Sequence, residues 1–195
     1  MPRSYNLGRR TASVEETRRR IAKAALNLHT TKGPAQTSMQ DIARLADVSL
    51  VTVYRHFPTP DQLFQSCRRM FLEEHPLPTP ESISGGSDLR DRVQRAITLF
   101  YSYYDEAGEQ LWCIQRDADL IPELLPGVEL RQGRVKAVAE AALAPVHARP
   151  QMHKRMLTLL LLALDLGTWR HLVKFQGLTT QEATSLMTEA VLCGA

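Results

Sequence analysis

A chain of 195 residues, 44% apolar and 23% charged, has the composition of an ordinary globular protein able to bury a core without covalent staples. Its three widely spaced cysteines, Cys67, Cys113 and Cys193, argue against a disulfide framework and a structural zinc site, and for a reducing, cytoplasmic setting. The formal charge of +3 is uneven: residues 1–70 hold 12 Lys+Arg against 5 Asp+Glu, net +7, and the rest hold 12 against 16, net −4. Such asymmetry fits a basic module for a polyanion joined to a module with other work.

No apolar block with a small-residue cleavage site opens the chain, so no export signal is expected. The longest apolar run, Met156 to Leu164, is far short of the roughly 20 residues that cross a bilayer, so no membrane partner is expected. Helical periodicity dominates, and the expected fold is all-α. Residues 1–12, with Arg3, Arg9 and Arg10, read as an arm; Ser13 and Glu16 have capping-box spacing and predict a helix start that runs to Gly33-Pro34. Ser38 opens a short helix to about Ala46, Ser49 another to about Phe57, and Thr59-Pro60 with Gln62 a third from 60 to 75. A Pro/Ser/Gly-rich loop follows. Helices are then expected at 88–106, 108–118, 128–145, 151–175 and 180–193, the last with a capping box from Thr179 and Glu182.

The stretch from 38 to 57, "SMQDIARLADVSLVTVYRHF", places apolar anchors Ile42, Ala43, Ala46, Val48, Val53 and Phe57 where two short helices brace one another across a tight turn. At about 100° per residue Val53 and Phe57 share one face of the second helix, with Val51, Thr52 and Arg55 opposite and Leu50, Tyr54 and His56 flanking the seam. That is the plan of a helix-turn-helix, whose second helix enters the major groove. Residues 37–64 closely resemble the DNA-binding signature of the TetR/AcrR family of bacterial transcriptional regulators. The resemblance implies an N-terminal three-helix DNA-binding domain, here over residues 1–58, and a larger helical effector-binding and dimerisation domain over 59–195. It further implies a homodimer on a near-palindromic stretch of double-stranded DNA, repression as the default, and release by an unidentified small-molecule effector.

Family DNA contacts carry over to Ser38 and Met39, and to Ser49, Leu50, Val51, Tyr54, Arg55 and His56, with Thr52 beside them. The chemistry of each is compatible. Helix-start serines suit phosphate or serve only as caps, and Tyr54 and His56 donate to phosphate oxygens. Arg55 has the planar fork that reads guanine or holds another phosphate; Leu50 and Val51 offer only apolar contact, as with thymine methyl groups. Three positions depart from the family pattern: Asp47 where glycine is usual, Pro60 where a lysine often reaches phosphate, and Val51 where relatives are often smaller.

In the second part, Phe100, Tyr104 and Trp112 are the candidate effector walls, with Cys113 and His171 as polar contributors, because pockets between bundle helices hold small ligands. Helix 151–175 is apolar round much of its circumference over Met156–Leu164 and, with the last helix, is expected to form a dimer seam. A DNA-binding dimer without an effector is the alternative. An all-helical enzyme is a distant one, since no phosphate loop, metal-ligand spacing or nucleophile motif is present and no cofactor or metal is expected.

Overall fold

The computed structural model describes residues 4–144 and 149–193, and from residue 11 onward their side chains as well. Arg3, the side chains of Arg9 and Arg10, and His147 lie outside this description. All regular structure among the described residues is helical: α1 (Ser4–Thr31), α2 (Met39–Leu45), α3 (Leu50–His56), α4 (Pro60–Glu74), α5 (Leu89–Gln115), α6 (Leu125–Leu143), α7 (Pro150–Ala163), α8 (Leu166–Trp169) and α9 (Thr180–Leu192). Short 3-10 turns occur at Pro34–Gln36, Pro80–Ile83 and Pro122–Leu124, and one wide π turn at Arg170–Phe175. No single described helix is long and apolar enough to cross a membrane.

The chain packs as two compact units, residues 1–74 with 113–126, and residues 75–112 with 127–195. In the first, α1 buries Ile21, Ala22, Ala25 and Leu28 against α2 and α4, and the alanines let the helix axes come close. Leu63, Cys67 and Phe71 of α4 complete that core. The boundary expected between residues 58 and 59 therefore falls inside this unit, because burial of α4 continues well past the end of the motif. At the end of α1 the chain needs Gly33: its φ of 102° and ψ of 149° suit glycine, and a Cβ there would meet Oδ2 of Asp117 at 2.5 Å. Asp117 is buried and accepts from the Ala35 N–H at 3.0 Å, while Arg116 donates to the Lys32 carbonyl, so residues 116–117 hold the entry to α2.

The second unit is built on α5, whose Val93, Ile97, Phe100 and Tyr104 are all fully buried, with Leu89 half-buried at its start. Val138, Ala142 and Leu143 of α6, Met156 and Leu160 of α7, and Ala183 and Val191 of α9 fill the space around it. The capping box of Thr179 and Glu182 is formed, the carboxylate accepting from the Thr179 N–H at 2.8 Å and the hydroxyl from the Glu182 N–H at 3.2 Å.

Three expectations about helix bounds are corrected. α1 starts at Ser4, not Ser13: no proline interrupts the segment, and the Ser13 carbonyl accepts from Thr17 Oγ1 at 2.9 Å as an interior residue. The helices expected at 88–106 and 108–118 are one, because Gly108 is not a stop; it makes room for the Trp169 ring. The helix expected at 151–175 breaks after Ala163 and bends by 58°, since the Asp165 side chain accepts from the Gly167 N–H at 2.7 Å and caps a new helix.

Candidate nucleic-acid interface

The turn between α2 and α3 is a Schellman motif. The Val48 N–H donates to the Ala43 carbonyl at 3.0 Å and the Asp47 N–H to the Arg44 carbonyl at 3.3 Å. Asp47 sits between them at φ 51°, the left-handed conformation that glycine would adopt freely. Aspartate thus reproduces the turn. After it, Ser49 caps α3, its Oγ accepting from the Thr52 N–H at 3.2 Å and lying 2.8 Å from Thr52 Oγ1.

α3 is amphipathic as the periodicity requires. Val53 and Phe57 are fully buried, whereas Val51 is 77% and Tyr54 50% exposed, with Arg55 also exposed and Leu50 and Thr52 half-buried. Tyr54 is not a packed core tyrosine. His56, in contrast, is buried: it follows Val53 by three positions and so lies on the inner side of the helix. Burial, then the charges of Arg55 and Arg18, push its pKa down, which favours the neutral imidazole. Among the expected contact residues of α3, His56 is the one that is buried.

At the start of α2, Ser38 is exposed and Met39 half-buried. Ser38 takes part in a capping box: its hydroxyl donates to the Asp41 carboxylate at 2.7 Å and accepts from the Asp41 N–H at 3.1 Å. Hydrogen bonds from Ser38 hold the Asp41 carboxyl below its ordinary range, and Arg44 pairs with it. Thus Ser38 fills the cap role that its place at a helix start allows, and a carboxylate stands beside it.

Arg18 of α1 is a contributor that the sequence did not disclose. Its guanidinium donates to the His56 carbonyl at the end of α3 and lies over the Phe57 ring, 4.2 Å from the centroid. A cation at a helix C-terminus satisfies a carbonyl and suits the dipole. Because this contact joins positions 38 residues apart, no local pattern announces it.

Among the candidate effector residues, Phe100 and Tyr104 are fully buried and adjacent, with ring centroids 5.8 Å apart, and Tyr104 also meets Tyr103 and Trp169. The Tyr104 hydroxyl donates to the Leu164 carbonyl at 2.9 Å. Trp112 is half-buried under the Arg170 guanidinium. Cys113 and His171 do not join this cluster. The former belongs to the first unit, its thiol 3.8 Å from the Thr31 carbonyl, and the latter is exposed on the π turn beside Gln176.

Residues 21–67 match the model of the family described as bacterial regulatory proteins, tetR family. That segment is a domain of the TetR family. This is a family of transcriptional regulators, not of enzymes. The matched segment runs from buried Ile21 of α1 to buried Cys67 of α4, so core residues of the first unit bound the TetR domain. Over 49 residues the chain is 47% identical to the HTH-type transcriptional repressor Rv3405c of Mycobacterium tuberculosis and to the HTH-type transcriptional regulator Mb3439c of Mycobacterium bovis. That match covers 25% of this chain and 26% of each relative, so the chain spans about a quarter of the length of the curated relatives it matches.

Solved structures extend the likeness of fold to most of the chain. A transcriptional regulator from Rhodococcus sp. superposes with a TM-score of 0.62 at 19% identity, over 91% of this chain and 97% of that one. The multidrug binding protein EbrR, complexed with imidazole, superposes with a TM-score of 0.57 at 19% identity, over 89% of both chains.

Proposed function

We propose that the protein is a homodimeric repressor that reads a near-palindromic operator through α3 and is released by a small-molecule effector bound in the second unit. The observation that carries this reading is the outer face of α3. Val51, Tyr54 and Arg55 stand exposed on a short helix fixed at one end by the Schellman turn and at the other by Arg18. An apolar contact, a phosphate donor and a bidentate base reader on one rigid face are what groove reading requires. Ser49, Leu50 and Thr52 border that face, and Ser38 and Met39 flank it from α2.

Homodimerisation is supported by α7 and α9, which pack on one another yet leave Leu162 56% and Leu186 49% exposed. Two such helices per subunit make a self-complementary four-helix seam. The name of the M. tuberculosis relative favours repression. An effector acts by binding one state of the dimer better than the other.

Fluorescence anisotropy with duplexes selected from a random pool tests the DNA reading. The wild type should select a two-half-site sequence and lose affinity steeply as salt rises. The double substitution Tyr54→Ala, Arg55→Ala should abolish selection while leaving the helical signal intact. Selection that survives it would remove α3 as the reader, and a monomer in sedimentation at micromolar concentration would remove the seam.

A further inference from the structure

Between α1 and α4 of the first unit lies an open cavity of about 680 Å³, within the range of roughly 300–1,000 Å³ typical of small-molecule sites. Arg18 of α1 and Arg68 and Arg69 of α4 line it. Arg68 is half-buried, and neither Arg68 nor Arg69 forms an ion pair among the described residues. Glu15 of α1 and Glu73 of α4 line the same cavity and are equally unpaired. Among the described lining residues only Leu72 is apolar. Charges left bare in a concave site raise the local concentration of a ligand of opposite sign.

We propose that this cavity binds a phosphorylated polyhydroxy compound, a sugar phosphate in chemical class, and that the ligand weakens DNA binding by drawing Arg18 away from α3; the second clause rests on the α3 reading proposed above. A phosphate monoester carries close to two negative charges at neutral pH and three acceptor oxygens, which guanidinium forks hold in bidentate fashion. Carboxylates only accept hydrogen bonds, so Glu15 and Glu73 call for a ligand body with donors. Hydroxyls supply them without the charge that an ammonium would bring against three arginines. An apolar body would strip water from these charges and offer them no partner. The two carboxylates also repel a nucleic-acid backbone, in which charge recurs at every nucleotide, whereas a single phosphate can sit beside the arginines alone. Arg18 gives the site its reach. Its guanidinium also donates to the His56 carbonyl and covers the Phe57 ring, so a phosphate competing for that fork loosens the end of α3.

Isothermal titration calorimetry on the full chain tests the site without DNA, with glucose 6-phosphate as the probe and inorganic phosphate and glucose beside it. Glucose 6-phosphate should bind about tenfold more tightly than either, and Arg68→Gln and Arg69→Gln should each weaken it about tenfold. Equal binding of inorganic phosphate would overturn the polyhydroxy class, and no binding of glucose 6-phosphate would remove the site. Anisotropy with a duplex selected by the wild type tests the coupling at constant ionic strength. Saturating glucose 6-phosphate should weaken the complex roughly five- to tenfold, and an unchanged affinity would overturn the role of Arg18. Without the probe, the double variant Arg68→Gln, Arg69→Gln should keep the salt slope of the wild type. A slope smaller by about two would assign both arginines to DNA phosphates and overturn the proposal. Should no duplex be selected, the α3 reading falls and the coupling with it, while the calorimetry still decides the site.

Discussion

Asp47 carries the one positive φ of a non-glycine residue among the described positions, and replacing it separates two effects that coincide there. The left-handed conformation costs an L-residue roughly 1–2 kcal/mol, with aspartate at the low end because its short polar side chain tolerates it. Asp47→Gly removes that strain but adds unfolded-state freedom of roughly 0.5–1 kcal/mol, for a net stabilisation of about 0.5 kcal/mol. Asp47→Ala keeps the Cβ and loses the tolerance of aspartate, so the alanine variant should be about 1 kcal/mol less stable than the glycine variant. Both remove the same negative charge. At about 10 Å from a phosphate in water one unit charge contributes about 0.4 kcal/mol, roughly a factor of two in affinity, and salt screens it. Urea unfolding should therefore rank Gly above Asp above Ala, while anisotropy at low salt should show both variants binding DNA about twofold tighter than wild type. Equal stability of the glycine and alanine variants would refute the strain argument. Tighter binding by the glycine variant alone would show that the turn, not the charge, limits the aim of α3.

The other contacts give predictions of the same kind. Arg18→Met should destabilise the first unit by about 2 kcal/mol in urea, the worth of a charge-assisted hydrogen bond and a cation–π contact at a partly exposed site. Arg18→Lys should recover less than half of that loss, because an ammonium lacks the planar fork. His29 is buried and stacked on Phe64, and burial lowers its pKa from 6.5 to about 4. The folded state holds it neutral, so its contribution is complete above pH 6.5 and is lost as pH falls toward 4, by about 3 kcal/mol in all. His29→Phe should flatten the stability profile in that window, measured as the difference from wild type. Gly108→Ala would place a Cβ 2.6 Å from Cη2 of Trp169 and should lower the stability of the second unit by about 1–3 kcal/mol in thermal unfolding.

Local chemistry was legible wherever it is complete within a few residues. The caps at Ser38, Ser49 and Thr179, the stop at Gly33 and the inward faces of α2 and α3 each depend on neighbours at most four positions away, and the structure shows each of them. The positive φ of Asp47 belongs to the same class, since the Schellman turn closes over six residues. Helix starts and stops failed where a local signal had a competing use. Ser13 and Glu16 have capping-box spacing but lie within a helix that continues through them, and Gly108 resembles a breaker but meets the ring of Trp169 61 positions away.

What the sequence by itself determined is the all-helical class, the helix-turn-helix with its exposed face, and the family signature of that segment, because periodicity, caps and motif spacing are properties of short range. Only the tertiary structure decided that His56 turns inward, that Arg18 holds the end of α3, and that Cys113 falls in a different unit from Phe100 and Tyr104. It also brought Arg131 of α6 near Tyr103 and Tyr104 of α5, and left the Tyr101 and Tyr103 hydroxyls without a partner among the described residues. The physical reason is the same in each case. Burial and hydrogen-bond satisfaction are set by what packs across the core from distant parts of the chain, and no window of sequence contains both sides of such a contact.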